Sequence, residues 1–76
     1  MIFEKFQEMI HKQLGIDKSK ITREADIIKD IGADSLDIVE MLMEVEAAWG
    51  ITIDDDVVKD FHTIGDVVDY IEKNAR

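Results

Sequence analysis

Phe3, Phe6, Ile10 and Leu14 recur three and four residues apart, with Ile2 and Met9 beside them. That spacing lays one apolar stripe along a helix over residues 2–14. Gly15 follows the last periodic residue, where a left-handed cap is expected. His11 points away from the stripe and reads as a solvated histidine. From 15 to 34 no period is sustained: Ile16, Ile21, Ile27, Ile28 and Ile31 are scattered among charges. A loop of about twenty residues is long for a compact domain, and its isoleucines are expected to pin it across the helices. A short helical turn is expected near Thr22–Ile28.

The strongest pattern begins at Ser35. Asp34 is a good N-cap, Asp37 three residues on resembles a capping box, and Gly50 ends the run. This predicts a helix over 35–49. Ile51-Thr52-Ile53-Asp54 alternates like a strand but is short and alone, so it reads as a connection whose isoleucines tuck inward. Asp54-Asp55-Asp56 starts a short helix at about 56–61 with Val57, Val58 and Phe61 apolar. Thr63-Ile64-Gly65-Asp66 is a second capping-box-like start, for a helix reaching Asn74 with Ile64, Val67, Val68 and Ile71 on its inner stripe. The expected fold is all-α: a four-helix bundle with a short third helix and a long loop between helices 1 and 2.

On a helical wheel at about 100° per residue from Ser35, the helix over 35–49 has two apolar faces. Ile38, Met41, Leu42, Val45, Ala48 and Trp49 fall within about 220–340°, a complete core stripe. Leu36, Val39 and Met43 fall at about 40–100°, on the side of Ser35. Glu46 and Glu40 flank that second patch, and Asp37 and Glu44 form the polar edge. Either the long loop folds over the patch, or it is a docking surface with an apolar centre and an acidic rim.

Charge sharpens the second alternative. The net charge is −9, and it is uneven. Residues 1–33 hold six acids and six bases; residues 34–76 hold twelve acids and three bases. The imbalance therefore begins at Asp34. Such a field repels nucleic acid and anionic membrane and draws in basic protein surfaces, although it also serves solubility alone. Seventy-six residues suit one small domain, 1–76, and 46% hydrophobic residues argue against disorder. There is no cysteine, no signal-peptide pattern at the N-terminus, and no apolar run near the roughly 18–20 residues of a membrane span. The chain is expected to be soluble, cytoplasmic and monomeric.

Catalytic chemistry is scarce. A nucleophilic serine needs a base and an orienting group, and the two histidines, His11 and His62, lie in other elements than Ser35. No zinc ligand set, glycine-rich phosphate loop or calcium loop is present, and no metal site is expected. The chain is not expected to be an enzyme. A serine at a helix start sits beside free N–H groups and a partial positive charge, which favour an attached phosphate; Asp34 and Asp37 would turn that phosphate outward. A plain helix-start serine is the commoner case.

Gly32-Ala33-Asp34-Ser35-Leu36-Asp37 resembles the attachment motif of acyl carrier proteins. The similarity takes in the opening helix, the loop ending Asp30-Ile31-Gly32, the helix with Glu40 and Glu46, the turn Gly50-Ile51-Thr52-Ile53 and the closing Asp69-Tyr70-Ile71. The resemblance implies a carrier with 4'-phosphopantetheine on Ser35, placed there by a phosphopantetheinyl transferase, and acyl groups held as thioesters for fatty acid synthesis enzymes with basic docking patches. It implies partner-docking roles for Asp34, Leu36, Asp37, Val39, Glu40, Met43 and Glu46. By the same analogy Met41, Leu42, Val45 and Ile53 are expected to line the space that shelters the acyl chain. Ile31, Ile38, Glu44, Trp49 and Asp54 depart from the residues usual in the family, and none touches the motif. Rival readings are a carrier of the same fold for a polyketide, aminoacyl or specialised envelope acyl cargo, and an unmodified acidic interaction module.

Overall fold

The computed structural model describes residues 1–75. Four α-helices, α1 (Ile2–Leu14), α2 (Ser35–Trp49), α3 (Asp55–Val58) and α4 (Ile64–Asn74), follow in chain order. Three begin and end as the sequence predicts. Gly15 closes α1 at φ 70° and Gly50 closes α2 at φ 65°, left-handed conformations that a β-carbon disfavours. Capping boxes open α2 (Asp34 with Asp37) and α4 (Thr63 with Asp66).

The helices bury one core. Phe6 and Ile10 of α1, Met41 and Val45 of α2, and Ile64, Val67, Val68 and Ile71 of α4 meet in a single cluster. Helix α1 packs against both α2 and α4. The long loop completes the cluster with Ile21, Ala25, Ile27, Ile31 and Ala33. At about 25 cal/mol per Å² of apolar surface, each fully buried isoleucine stabilises the fold by about 1.5–3 kcal/mol before side-chain entropy, enough to hold an irregular segment down. Ile28 alone among the loop isoleucines turns out, at 64% exposure.

Backbone bonds register the loop against the start of α4. Gly65 N–H donates to Arg23 O (2.8 Å), Ile64 N–H to Ala25 O (3.0 Å), and Ile27 N–H to His62 O (2.9 Å). Asp26 and Thr63 form an isolated antiparallel bridge. The first two bonds use N–H groups from the opening turn of α4, which no intrahelical carbonyl can satisfy. At the other end of the loop, Gln7 Nε2 donates to Lys18 O and to Ile21 O, both at 3.0 Å.

Four local expectations change. The short helical turn of the loop is a 3₁₀ turn at Lys18–Lys20, not at Thr22–Ile28, because Asp17 Oδ1 accepts Ser19 N–H and starts it. Helix α3 covers Asp55–Val58 rather than 56–61. Its continuation tightens into three-residue turns, Asp60 N–H to Val57 O and Phe61 N–H to Val58 O, and Asp54 makes no side-chain cap. His11 is half-buried, not free in solvent: its Nδ1 lies 2.7 Å from Ile16 O, tying α1 to the chain beyond its cap. Ala48, placed by the wheel at one margin of the core stripe, is exposed.

Candidate functional site

Ser35 is exposed and is the first residue of α2. The residue before it does the capping. Asp34 Oδ1 accepts Asp37 N–H at 2.9 Å, and Asp37 Oδ2 accepts Asp34 N–H at 3.2 Å. Ile38 N–H goes to Asp34 O. The first-turn N–H groups not engaged in this way belong to Ser35 and Leu36. The Ser35 hydroxyl is thereby relieved of capping and stands beside two free donors at the positive end of a helix dipole, a setting suited to a phosphodiester. Gln13 of α1 steadies this turn by donating from Nε2 to Asp37 O at 3.0 Å.

The second apolar face of α2 is open. Leu36, Val39 and Met43 are 66%, 53% and 62% exposed, so the long loop does not fold over them. The acids around them differ in how tightly they are held. Glu40 is exposed. Asp37 is half-buried in the capping box. Glu46 is half-buried, and its Oε2 accepts Ile53 N–H at 2.7 Å, which fastens the end of α2 to the connection before α3.

A cavity of about 500 Å³ opens between the other side of α2 and the elements facing it. Ile38, Met41 and Leu42 of α2 form one wall. Asp26, Ile27, Ile28 and Lys29 of the loop form the second, and Val58, Lys59, Phe61 and His62 with Val67 of α4 close the third. Ile38 lies three residues beyond Ser35, about one helical turn along α2. Of the residues expected to line an acyl shelter, Met41 and Leu42 are in this wall. Val45 and Ile53 are not: Val45 is wholly enclosed in the core and Ile53 packs against that core from outside. The loop wall and the Phe61 side went unmarked in the sequence. Phe61, the apolar residue ending the third predicted helix, was the one available signal.

The loop wall is held by an ionised carboxylate. Asp26 Oδ1 accepts N–H bonds from Lys29 (2.8 Å) and Ile28 (2.9 Å), and these bonds hold its pKa below the usual 3.8. Asp66, at the start of α4, is lowered in the same way by N–H bonds from His62 and Thr63. Among the described residues, no three carboxylate, imidazole or thiol side chains gather as a metal site, and no helix is long and apolar enough to cross a membrane.

An exposed helix-start serine, an open apolar patch on the same helix and an apolar cavity behind it suit a carrier domain. The profile of the family described as "Phosphopantetheine attachment site" matches residues 4–71. The acyl carrier protein of Thermotoga maritima is 46% identical over 72 residues, covering 95% of this chain and 89% of that one. The acyl carrier protein of Helicobacter acinonychis is 47% identical over 73 residues, covering 96% and 94%. The solved structure of the acyl carrier protein from Enterococcus faecalis superposes with a TM-score of 0.83 at 30% identity, covering 97% of this chain and 94% of that one. The chain belongs to the acyl carrier protein family: it bears acyl groups on a covalent 4'-phosphopantetheine.

Proposed function

We propose that Ser35 is the residue that carries the arm and that the chain, acting as one carrier domain, moves acyl intermediates between the enzymes of fatty acid synthesis. The observation that carries this reading is the exposed Ser35 hydroxyl, left free because Asp34 caps α2. When bound, the arm supplies a terminal thiol that holds the acyl group as a thioester. The protein's own part is to present and to shelter. The Ser35 and Leu36 N–H groups face the phosphodiester side, while Asp34 and Asp37 turn it away from the helix by charge repulsion. Met41 and Leu42, with Ile38 above them, offer an apolar surface to a cargo chain.

The docking surface is Leu36, Val39 and Met43, with acidic groups from Asp34, Asp37, Glu40 and Glu46 around it. Its apolar centre is small, so a partner's basic patch is needed to steer the encounter, and the complex formed is transient and salt-sensitive. A phosphopantetheinyl transferase and the synthesis enzymes are partners of this kind. In this reading the reactions belong to those partners, and the chain serves them as a monomeric carrier in the cytoplasm.

Incubation with coenzyme A, magnesium and a broad-specificity transferase is the test. The intact mass is expected to rise by one phosphopantetheine, and Ser35→Ala is expected to abolish the gain. A gain that survives the substitution would place the arm elsewhere.

A further inference from the structure

Between Asp34 and Glu40 no side chain is buried; the first of α2 to enter the core is Met41, at 2% exposure. Packing therefore anchors the turn that bears Ser35 only weakly. Its capping box joins Asp34 to Asp37, two residues of the same turn, so it stiffens the turn without fixing it to the rest of the fold. On the loop side Ala33 is buried and donates its N–H to Ile27 O at 3.1 Å. From another helix, among the described residues, one hydrogen bond reaches the turn: Gln13 Nε2 donates to Asp37 O at 3.0 Å.

The other half of the Gln13 amide is unsatisfied. Its Oε1 is buried and has no hydrogen-bond partner among the described residues. Turning the amide over would set Oε1 against the Asp37 carbonyl oxygen, acceptor to acceptor, so the tie needs this orientation. A buried acceptor without a donor costs more than one neutral hydrogen bond returns. For stability alone, an apolar side chain of the same shape serves as well or better. What Gln13 provides is the hold of Nε2 on the first turn of α2.

Taking the carrier reading above as its basis, we propose that Gln13 is a positioning residue for the loading reaction: it fixes the first turn of α2 against α1 and so sets the direction of the Ser35 hydroxyl in the transferase complex. In that reaction the Ser35 oxygen bonds to the coenzyme A phosphorus that bears the pantetheine. The bond from that phosphorus to the bridging oxygen breaks, adenosine 3',5'-bisphosphate leaves, and the hydroxyl proton passes to a base of the transferase. Gln13 is bonded to Asp37, not to Ser35. It acts through the turn, by narrowing the angles from which the serine oxygen meets the phosphorus.

Gln13→Met keeps the length of the side chain and removes both the tie and the unpaired acceptor. Loading by a broad-specificity transferase with coenzyme A and magnesium is expected to lose about fivefold in kcat, with KM for the carrier unchanged. Tm is expected to stay at or above the wild-type value. Backbone ¹⁵N relaxation supplies a readout independent of the enzyme: order parameters of the Ser35, Leu36 and Asp37 amides fall, and those from Met41 to Val45 hold. Gln7→Met is the comparison. Gln7 Nε2 donates to Lys18 O and Ile21 O in the long loop, so its loss is expected to lower Tm and to leave kcat at the wild-type value below the melting range. An unchanged kcat, a loss confined to KM, or a clear fall of Tm in Gln13→Met overturns the proposal, as does an equal loss of kcat in Gln7→Met. If the wild-type chain gains no mass, the carrier reading falls and the proposal with it; a wild type that loads, beside a Gln13→Met that loads as fast, overturns the proposal alone.

Discussion

Replacing Gly65 by alanine should destabilise the protein, although the site is helical. In a helix interior the change from glycine to alanine ordinarily raises stability by about 0.5–1 kcal/mol. At Gly65 a β-carbon would lie 2.9 Å from the Arg23 carbonyl oxygen and 3.4 Å from its Cβ. The obstacle is backbone, so no side chain can swing aside. The same carbonyl accepts Gly65 N–H at 2.8 Å, and that bond must lengthen as the loop is pushed off. Overpacking of this kind costs about 1–3 kcal/mol, which exceeds the propensity gain. A net loss of about 1–2 kcal/mol lowers Tm by about 4–8 °C per kcal/mol in a domain of this size, or about 5–15 °C in all. Thermal unfolding followed by circular dichroism gives the number. Amide exchange gives the mechanism: Ile27 N–H, bonded to His62 O, should exchange faster than the amides of α1. A Tm equal to or above the wild type would mean that the loop and α4 are not in contact at this point.

The two glutamates around the apolar patch should separate under charge reversal. Glu40→Lys should weaken coupling to a fatty acid synthesis enzyme at low salt and leave Tm unchanged, whereas Glu46→Lys should also cost about 1 kcal/mol of stability and lower Tm, because it loses the bond to Ile53 N–H; steady-state kinetics and melting of each variant check this. Acid should weaken the loop and the start of α4 together. Asp26 and Asp66 are held below their ordinary 3.8 by backbone N–H bonds. Their contribution is therefore complete above the unfolded value and is lost as pH falls through the lower folded values. Asp26→Asn with Asp66→Asn should flatten that fall in chemical-denaturation curves, and an unaltered acid limb would remove these two carboxylates from the account.

The elements that could be read from the chain are those whose signals are local. Helices α1, α2 and α4 announce themselves by apolar spacing, by Gly15 and Gly50, and by the Asp34 and Thr63 boxes, each confined to one or two turns. The exposed patch of Leu36, Val39 and Met43 was separable because a helix of known pitch fixes which residues share a face. Ser35 stood out for the same reason, as a hydroxyl at a helix start. Where neighbours decide, local reading failed. The end of α3 depends on how the chain turns toward α4, and His11 is half-buried because the chain beyond Gly15 folds back to place the Ile16 carbonyl at its ring.

The sequence by itself determined the helices, their caps, the acidic second half and the attachment-like motif of Asp34-Ser35-Leu36, since periodicity, conformational preference and charge belong to neighbouring residues. Only the tertiary structure decided what the long loop does. Its isoleucines are equivalent on paper, yet Ile21, Ile27 and Ile31 enter the core while Ile28 faces out beside Lys29. That choice follows from the bonds that Arg23, Ala25 and Ile27 make with the start of α4, some forty residues away along the chain. That pairing joins two of the cavity's walls, the loop at Ile27 and the segment before α4 at His62. A space between elements has no sequence of its own: its walls come from segments whose approach is set by hydrogen bonds and burial.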